Sequence, residues 1–527
     1  MKIRTSSIPL RVSSRALAQT VAALALFSGG MSHAATFTVT NCADTGAGSL
    51  RQAVEGANTN PGADVINFSL TCSAITLAST ITIGDTVNIT GPGANALTIA
   101  SPTARAMNLV PVATAPAFQE VNISGLRFAQ STATTGGAIS AIRTNLAITT
   151  SIFDGNDATT SGGAIYFESP NGETRTLDIS YTTFLNNGVS AGSGGGAIYQ
   201  DGSALITIRR SLFRGNGAAG VQSGGAIRSI DTSALLVVES GFYANAANYG
   251  GAISNSGTGT SRVVGSSFVS NTAGGLALEP DFGGGAIDIS LGAMSIENST
   301  FAANSINGLG VGSAIAARGA GITMLNTTVA KNEVRSAATT NAAIAVFSAP
   351  GSDNSVARLT LRNTVSTTNI ATDVEKRHDV WVDGRGINIF FTSSTSLVSV
   401  LRNAAVVTQS PGGALLANAE NNGGIRVGEQ TAFSEPLLTM LIGSGSALIN
   451  AGNNTDATVL TTDQRGAGFP RVIDSVVDIG AIEYQVQPQA ITPASVPTLG
   501  QSVLILLAML LAAACAPALW GSTKNGD

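Results

Sequence analysis

Carboxylates are the side chains through which this chain could most readily do chemistry. Glycoside hydrolysis needs two carboxylates facing each other across the scissile bond, and elimination on uronic acid polymers needs a base and carboxylate-held calcium. Because the acids of the central region do not recur at one place in successive repeats, the sequence puts no two of them on one face. The candidates are Asp154, Asp157, Asp178, Asp201, Asp231, Glu239 and Asp288.

Histidine chemistry has less support. The chain has 2 histidines, and His378 is the one that follows residue 34. The sequence contains no H-E-x-x-H, phosphate-loop or C-x-x-C motif, and one imidazole supplies at most one catalytic triad. His378 lies in the charged stretch 373–379, which predicts a solvated loop, with a catalytic site as the alternative. We therefore predict no catalytic residue, no metal site and no cofactor.

Two tetrapeptides alternate along the middle of the chain. Gly-Gly-Ala-Ile recurs every 26 to 34 residues, and Phe-x-x-Asn recurs between its copies. A fixed period in this range is typical of a solenoid, in which one structural unit stacks on the next. The motif residues are Ile139, Ile165, Ile198, Ile227, Ile253 and Ile287, and Phe153, Phe184, Phe213, Phe242, Phe268 and Phe301.

The segments between the motifs predict short strands. Residues 175–180, 204–209, 235–239 and 293–297 alternate and are rich in β-branched side chains, and no helical pattern interrupts the repeats. A unit of about 29 residues is too short for a propeller blade and fits one coil of a β-helix. We therefore predict an all-β fold, a parallel β-helix.

Each motif has a predicted role in the coil. The glycines permit a tight turn into a strand, after which Ala and Ile point to opposite faces, with Ile inward. The motif Phe stacks inward in the same way. The motif Asn occupies a left-handed corner and bonds to the coils above and below. A ligand-binding role for this asparagine ladder is the alternative.

Residues 1–34 have the features of a secretory signal peptide. A basic start precedes a short apolar run, and Ser32, His33 and Ala34 form a small-x-small cleavage site before Ala35. An uncleaved anchor is the alternative. Cleavage would leave 23 of the 27 Lys and Arg residues against 32 acids, a formal charge of −9. This acidity, without a basic stripe, argues against nucleic acid as a partner.

Residues 35–72 predict a capping region for the open first coil. Ser49 and Gln52 form a capping box that would start a helix over 49–58. Cys42 and Cys72 flank this helix, and in an exported chain they predict a disulfide. Two free buried thiols are the alternative.

The remaining segments follow in order. The β-helix is predicted over 73–485, a polar linker over 486–496, and a C-terminal sorting segment over 497–527. Its apolar run, 503–520, has the minimum length for a membrane-spanning anchor helix. The run follows the tetrapeptide Val496, Pro497, Thr498 and Leu499.

Several family resemblances meet in these segments. The alternating Gly-Gly-Ala-Ile and Phe-x-x-Asn repeats resemble those of chlamydial polymorphic outer-membrane proteins. Cys42 with residues 48–54 resembles CSLREAI-type bacterial β-helix proteins, and residues 463–466 with 478–483 resemble the closing segment of choice-of-anchor Q proteins. The tetrapeptide and apolar run resemble an IPTL-type sorting signal. These resemblances imply a right-handed β-helix, recognition by a membrane-embedded sorting machinery, and display at or beyond the outer membrane.

Together these features predict an exported protein of the cell envelope, cell surface or medium, with a non-catalytic structural, adhesin-like or binding role. Its expected partners are the sorting machinery, surface glycans or proteins, and the membrane through residues 503–520. A secreted polysaccharide lyase or hydrolase is the alternative. A cleft with facing acids and an arginine would favour the enzyme, and a long face of Ser, Thr and Asn would favour binding.

Overall fold

The computed structural model describes residues 33–485 with gaps at 113–117, 171, 218–222, 232–233, 275–282, 309, 336–340, 348–356, 372–376, 384–388, 395, 399, 404–405, 410–413, 415 and 432. The predicted linker, the tetrapeptide 496–499 and the apolar run 503–520 lie outside the described residues, as does nearly all of the predicted signal peptide. Within the described part, no helix is long and apolar enough to cross a membrane.

The described chain forms a parallel β-solenoid, so the prediction of an all-β parallel β-helix is confirmed. Each coil contributes strands to three long sheets. Sheet 1 contains Thr36–Val39 (β1), Asp64–Phe68 (β2), Val87–Thr90, Gln119–Ser124, Thr144–Thr149, Arg175–Ser180, Ala204–Arg209, Ala234–Val238, Thr260–Val264, Ala293–Glu297, Gly321–Leu325, Ala357–Arg362 and Ile389–Ser394.

In sheet 2, each strand that follows a Gly-Gly-Ala-Ile motif begins at the isoleucine of that motif. Its strands are Ile81–Ile83, Met107–Leu109, Ile139–Ile142, Ile165–Ser169, Ile198–Gly202, Ile227–Ser229, Ile253–Asn255, Ile287–Ser290, Ile315–Arg318, Asn341–Phe347, Arg377–Asp383, Val400–Asn403 and Val406–Gln409. The last of these runs antiparallel to its neighbour.

Sheet 3 carries the Phe-x-x-Asn motifs. Its strands are Ala74–Thr76, Thr98–Ala100, Arg127–Ala129, Ile152–Asp154, Thr183–Leu185, Leu212–Arg214, Gly241–Tyr243, Ser267–Val269, Thr300–Ala302, Thr328–Ala330, Val365–Thr367 and Leu397–Val398. Two short sheets link sheets 3 and 2, with strands Thr132–Thr135, Asp157–Ser161 and Gly188–Val189, and Ala246–Ala247, Thr272–Ala273, Ser305–Ile306, Glu333–Val334 and Ile370–Ala371.

The motif side chains form continuous rows in the interior. Ile165 and Ile198 are Cα partners across sheet 2, and Phe184 and Phe213 are partners across sheet 3. From Phe153 to Phe301 the rings stack with centroids 4.7 to 4.9 Å apart. All of these side chains belong to one buried cluster, so burial of apolar rows drives the stacking of the coils.

The prediction that Ala and Ile of the first motif point to opposite faces is wrong. Ala197 and Ile198 are both fully buried in the same core. Their amide groups both donate to the carbonyl oxygen of Ala226 in the next coil, at 3.0 and 2.9 Å, so the backbone bends at Ala instead of continuing a pleat. Gly195 starts this bend with a φ of +67°, which favours glycine.

The motif asparagines form a buried ladder along the solenoid. The Nδ2 of Asn216 donates to the carbonyl oxygen of Phe184 and to the Oδ1 of Asn245, each at 3.0 Å. The sequence predicted a left-handed conformation for the asparagine, and this is wrong. The left-handed residue is the one before it, as at Ala244 with a φ of +53°. The turn at that residue brings the amide inward, where it satisfies backbone groups of neighbouring coils.

A second ladder consists of hydroxyl groups two positions before each motif Phe. The Oγ of Ser240 accepts a hydrogen bond from the amide of Ser211 at 3.2 Å and donates to the carbonyl oxygen of Val238 at 2.8 Å. The amide of Ser240 in turn donates to the Oγ of Ser266 at 3.1 Å. Each coil is thus tied to the next by side chains as well as by strand pairing.

One helix closes the first coil. Helix α1 spans Leu50–Thr59, and the Oγ of its N-cap Ser49 accepts from the amide of Gln52 at 3.2 Å. The Oε1 of Gln52 accepts from the amide of Gly48 at 2.7 Å instead of completing the predicted box at Ser49. The apolar face of α1 belongs to the solenoid core and consists of Leu50, Ala53, Val54 and Ala57.

A disulfide joins Cys42 to Cys72, with 6.4 Å between their Cα atoms. The two cysteines flank α1 in sequence, and Cys42 packs against the core that the helix covers. The bond therefore ties the two ends of the capping region together.

The predicted extent of the β-helix, to residue 485, differs from the structure. The described residues of 414–484, here called the C-terminal arm, leave the parallel coils and pack against the outer face of sheet 3. The arm contains the antiparallel pairs Leu416–Glu420 with Thr439–Ile442 and Arg426–Val427 with Glu435–Pro436, and the 3₁₀ helix Asn454–Ala457. Its contacts include the amide of Leu438 on the hydroxyl of Tyr243 at 3.1 Å and the amide of Gly480 on the carbonyl oxygen of Asn363 at 2.9 Å.

A buried ionic cluster holds the last part of the arm. Arg465 contacts Asp463 at 2.5 Å, and Arg471 lies 3.4 Å from Glu483. The amide of Asp478 donates to both carboxylate oxygens of Glu483 at 3.1 Å. Burial raises the pKa of Glu483 to about 8, because desolvation outweighs the attraction of Arg471. The two closing segments noted in the sequence, 463–466 and 478–483, therefore bind each other.

Candidate carboxylate and tyrosine site

The outward face of sheet 2 gathers the chemistry-bearing side chains that the sequence left scattered. Since the motif isoleucines point inward, the residues one and three positions later point outward. Strand register then makes partners of Tyr166 and Tyr199, of Tyr199 and Arg228, and of Glu168 and Asp201. These five residues lie on three neighbouring coils.

The two tyrosines form a stacked pair along the solenoid axis. Their ring centroids are 5.7 Å apart with an interplanar angle of 7°. The hydroxyl of Tyr166 donates to the Oε2 of Glu168 at 3.0 Å. Burial raises the pKa of both tyrosines, and the charge of Glu168 raises that of Tyr166 further. Both phenols are therefore neutral hydrogen-bond donors at physiological pH.

Two carboxyl groups share a hydrogen bond next to this pair. The carboxyl of Asp201 is bonded to that of Asp231, which is exposed on the following coil. Burial raises the pKa of Asp201, and the charges of Asp231 and Glu168 raise it further. Asp201 therefore keeps its proton to a higher pH than an isolated aspartate, which is the property that a general acid needs.

Arg228 completes the group. Its Nη1 donates to the carbonyl oxygen of Ser193, and its Nε is buried with no hydrogen-bond partner among the described residues. Burial lowers the pKa of Arg228, while Tyr199, Asp288 and Asp201 act in the opposite direction. Asp288 lies in the same outward row, two coils further on, and is 5% exposed.

Two of the seven acids considered from the sequence therefore meet here, Asp201 and Asp231, and Asp288 lies in the same outward row, where its charge acts on Arg228. The other four lie elsewhere. Asp154 pairs with Arg127 and Glu239 with Arg210, Asp178 is exposed on sheet 1, and Asp157 lies in a short sheet where burial raises its pKa. Sequence reasoning missed Tyr166, Tyr199, Arg228 and Glu168. Their common signal is a position one or three residues after a motif isoleucine.

Sheet 1 offers a second outward surface, long and largely polar. One register row crosses ten consecutive strands, and eight of its members are polar or charged: Asn88, Asn122, Ala147, Asp178, Thr207, Leu236, Arg262, Ser295, Thr323 and Thr360. Four of these residues are exposed, namely Asn122, Asp178, Arg262 and Thr323. We call this row the sheet 1 polar row.

Other predicted or possible sites lie away from these two surfaces. His378 belongs to the strand Arg377–Asp383, so the predicted loop is wrong at that position; its side chain lies outside the described part. Within the described chain no three His, Cys, Asp or Glu side chains are arranged so that they could hold a metal ion. A surface pocket of about 420 Å³ between β1 and α1 has no titratable lining residue; it is lined by Thr36, Phe37, Thr38, Gly48, Ser49, Gln52, Ala53 and Gly56.

Comparison with known proteins identifies no function for these two surfaces. No family model and no curated protein matches the chain. A solved structure described as ORF18 of Geobacillus virus E2 is similar over 83% of this chain and 80% of that chain, with 11% identity and a TM-score of 0.33. A similarity at this level decides neither fold nor function.

Proposed function

We propose that this chain is an exported, non-catalytic glycan-binding rod that is sorted by its C-terminal segment to the cell surface. The observation that supports binding is the sheet 1 polar row, an exposed hydrogen-bonding surface that runs along ten strands. Donors and acceptors at the roughly 4.8 Å strand spacing suit an extended chain that is rich in hydroxyl groups.

The solenoid provides the rigidity that such a surface requires. Strand pairs, the asparagine ladder and the hydroxyl ladder all connect successive coils, so few backbone groups are free to rearrange. A preformed array loses little conformational entropy when it binds a polymer. The acidic net charge of −5 argues for neutral rather than acidic polymers.

The cellular location is proposed from the two ends of the sequence. A signal peptide over residues 1–34 would direct export through the inner membrane, and the tetrapeptide 496–499 with the run 503–520 would be recognised by the sorting machinery. The resemblance to choice-of-anchor Q proteins supports this arrangement and a right-handed coil.

Binding can be tested with residues 35–485 on immobilised neutral polysaccharides. We expect retention by the wild-type protein and at least tenfold weaker retention by a triple variant, Asn122→Ala, Asp178→Ala and Thr323→Ala. A control that replaces two exposed acids outside the row, Glu55→Ala and Glu420→Ala, should bind like the wild type. Equal retention of the two variants would remove the row from the binding surface.

Polysaccharide hydrolysis is a second candidate, favoured by the carboxyl pair of Asp201 and Asp231. A carboxyl group with a raised pKa, as burial gives Asp201, is what the general acid of a glycoside hydrolase requires. The test is release of reducing ends from neutral polymers. Activity that is lost in Asp201→Asn and Asp231→Asn, but kept in Asp178→Asn, would establish the enzyme and overturn the non-catalytic proposal.

A further inference from the structure

Asp64 is a buried carboxylate at the start of β2 in the capping region. Its side chain is fully buried, and its Oδ1 accepts hydrogen bonds from the Nδ2 of Asn60 and from the backbone amide of Ala35, each at 2.7 Å. Its other oxygen, Oδ2, is buried and has no hydrogen-bond partner among the described residues. Half of this carboxylate is therefore unsatisfied.

Such an arrangement is costly in the chain as it stands. A buried carboxylate needs a cation or several donors to replace the water it has lost. In the described part of the chain, Asp64 takes part in no ion pair, and its two donors, a carboxamide and a single amide N–H, are both uncharged. The donor nearest in sequence to the predicted cleavage site is Ala35 itself.

We propose that Asp64 is the receptor for the α-ammonium group that removal of residues 1–34 creates at Ala35. This inference rests on the export part of the proposed function. Hydrolysis of the peptide bond between Ala34 and Ala35 transfers the water hydroxyl to the carbonyl carbon of Ala34 and a proton to the nitrogen of Ala35. The freed amine, with an ordinary pKa of about 7.7–8.0, takes up a further proton at neutral pH.

The new group matches what Asp64 lacks. The nitrogen of Ala35 already lies 2.7 Å from Oδ1, a distance typical of charge-assisted hydrogen bonds. Cleavage replaces the single N–H of Ala35 with three and adds a positive charge. One N–H can then continue to donate to Oδ1 while a second donates to Oδ2. Cleavage also removes one hydrogen bond. The Nδ2 of Asn60 donates to the carbonyl oxygen of His33 at 2.7 Å, and His33 leaves with the signal peptide.

The consequence is a capping region that is completed only by processing. The carbonyl oxygen of Ala35 accepts from the amide of Val65 at 2.8 Å, so the ion pair would fix the residue that precedes β1 against β2. β1 is the terminal strand of sheet 1, and α1 packs against it. An ammonium held by Asp64 therefore anchors the exposed end of the solenoid and its helix.

The test compares two forms of the protein: one that begins at Ala35, and one that retains Ser32, His33 and Ala34 before it. We expect hydrogen exchange at the Val65 amide to be about tenfold slower in the form that begins at Ala35, as a charge-assisted bond replaces a neutral one. The difference should vanish in Asp64→Asn and persist in the control Glu55→Gln, which removes an exposed charge from α1. A difference that survives in Asp64→Asn, or no difference in the wild type, would overturn the proposal.

Two further measurements keep the result clear. If Asp64→Asn does not fold, N-acetylation of the form that begins at Ala35 removes the charge without changing Asp64, and should restore fast exchange. Exchange that is unchanged by acetylation contradicts the proposal. N-terminal sequencing of the exported protein separately tests the cleavage site: a start other than Ala35 would contradict the export prediction, while the engineered form would still report on Asp64.

Discussion

Asn245 accepts two hydrogen bonds from Asn216 in the preceding coil through one oxygen, its Oδ1. The backbone amide and the Nδ2 of Asn216 both donate to it at 3.0 Å. The Nδ2 of Asn245 meanwhile donates to the carbonyl oxygen of Phe213 at 3.0 Å. One buried side chain thus satisfies three groups on the preceding coil.

Replacing this asparagine should be costly. We expect Asn245→Ala to lower the free energy of unfolding by about 3 kcal/mol or more, since three buried polar groups lose their partner. Denaturant titration followed by circular dichroism measures the change. The control is Asn186→Ala. Asn186 is exposed and left-handed, and the equivalent position two coils later is already an alanine, Ala244. A loss no larger than that of the control would contradict a structural role for the ladder.

The interior rows predict a strong contrast between inward and outward positions. Ile198→Asp or Phe213→Asp should prevent stable folding, because each places an unpaired charge in a fully buried row. Leu205→Asp, at a side chain that is 50% exposed, should unfold at nearly the wild-type temperature. Thermal unfolding of the three variants gives the comparison, and unchanged melting of the first two would mean that those rows do not face inward.

The buried cluster in the C-terminal arm predicts a pH dependence. The pKa of Glu483 is raised from 4.5 to about 8, so between these values the folded state binds more protons than the unfolded state. Stability of the arm should therefore fall as pH rises from 4.5 to about 8 and then level off. Burial also raises the pKa of Asp478, which acts with the same sign.

Glu483→Gln should weaken this dependence, because glutamine stays neutral throughout the range. Proteolysis rates within residues 414–484, measured from pH 5 to pH 9, report on opening of the arm. Exposed Glu420, replaced in Glu420→Gln, is the matched control and should behave like the wild type. An arm that becomes more stable as pH rises through this window would contradict the raised pKa.

The disulfide between Cys42 and Cys72 should stabilise the capping region. It closes a loop of 30 residues, for which loop entropy predicts about 3–4 kcal/mol. Cys72→Ser should therefore increase hydrogen exchange in α1 and β1, while coils beyond Phe242 exchange as before. Addition of a thiol reductant to the wild type should reproduce the effect, and protection that is indifferent to both changes would show that the bond is dispensable.

The repeats made the solenoid predictable from the sequence, because each motif position is occupied by the same type of side chain in successive coils. Ile198 and Phe213 could be placed inward on that basis alone. The hydroxyl ladder was equally visible as Ser or Thr two positions before Phe. The bend at Ala197 was missed because alternation was assumed to begin with the motif, whereas the strand begins at Ile198.

The candidate site could not be assembled in this way. Asp201, Asp231 and Asp288 lie three, four and one residues after their motif isoleucines, so no periodicity links them. They lie on one face because strand register and a turn after Ser229 bring different positions of the repeat together there. The arm was missed for a related reason: its partners on the solenoid, such as Tyr243 and Asn363, lie far away in sequence and follow no repeat.

The central claim, an exported and sorted surface protein, is tested most directly by the protein's own termini and location. Cells should be fractionated, and the intact mass and C-terminal peptide of the native protein determined. We predict a product that lacks residues 1–34 and those beyond about Thr498, found at the cell surface or in the medium. A full-length C-terminus retained in the inner membrane would contradict the account.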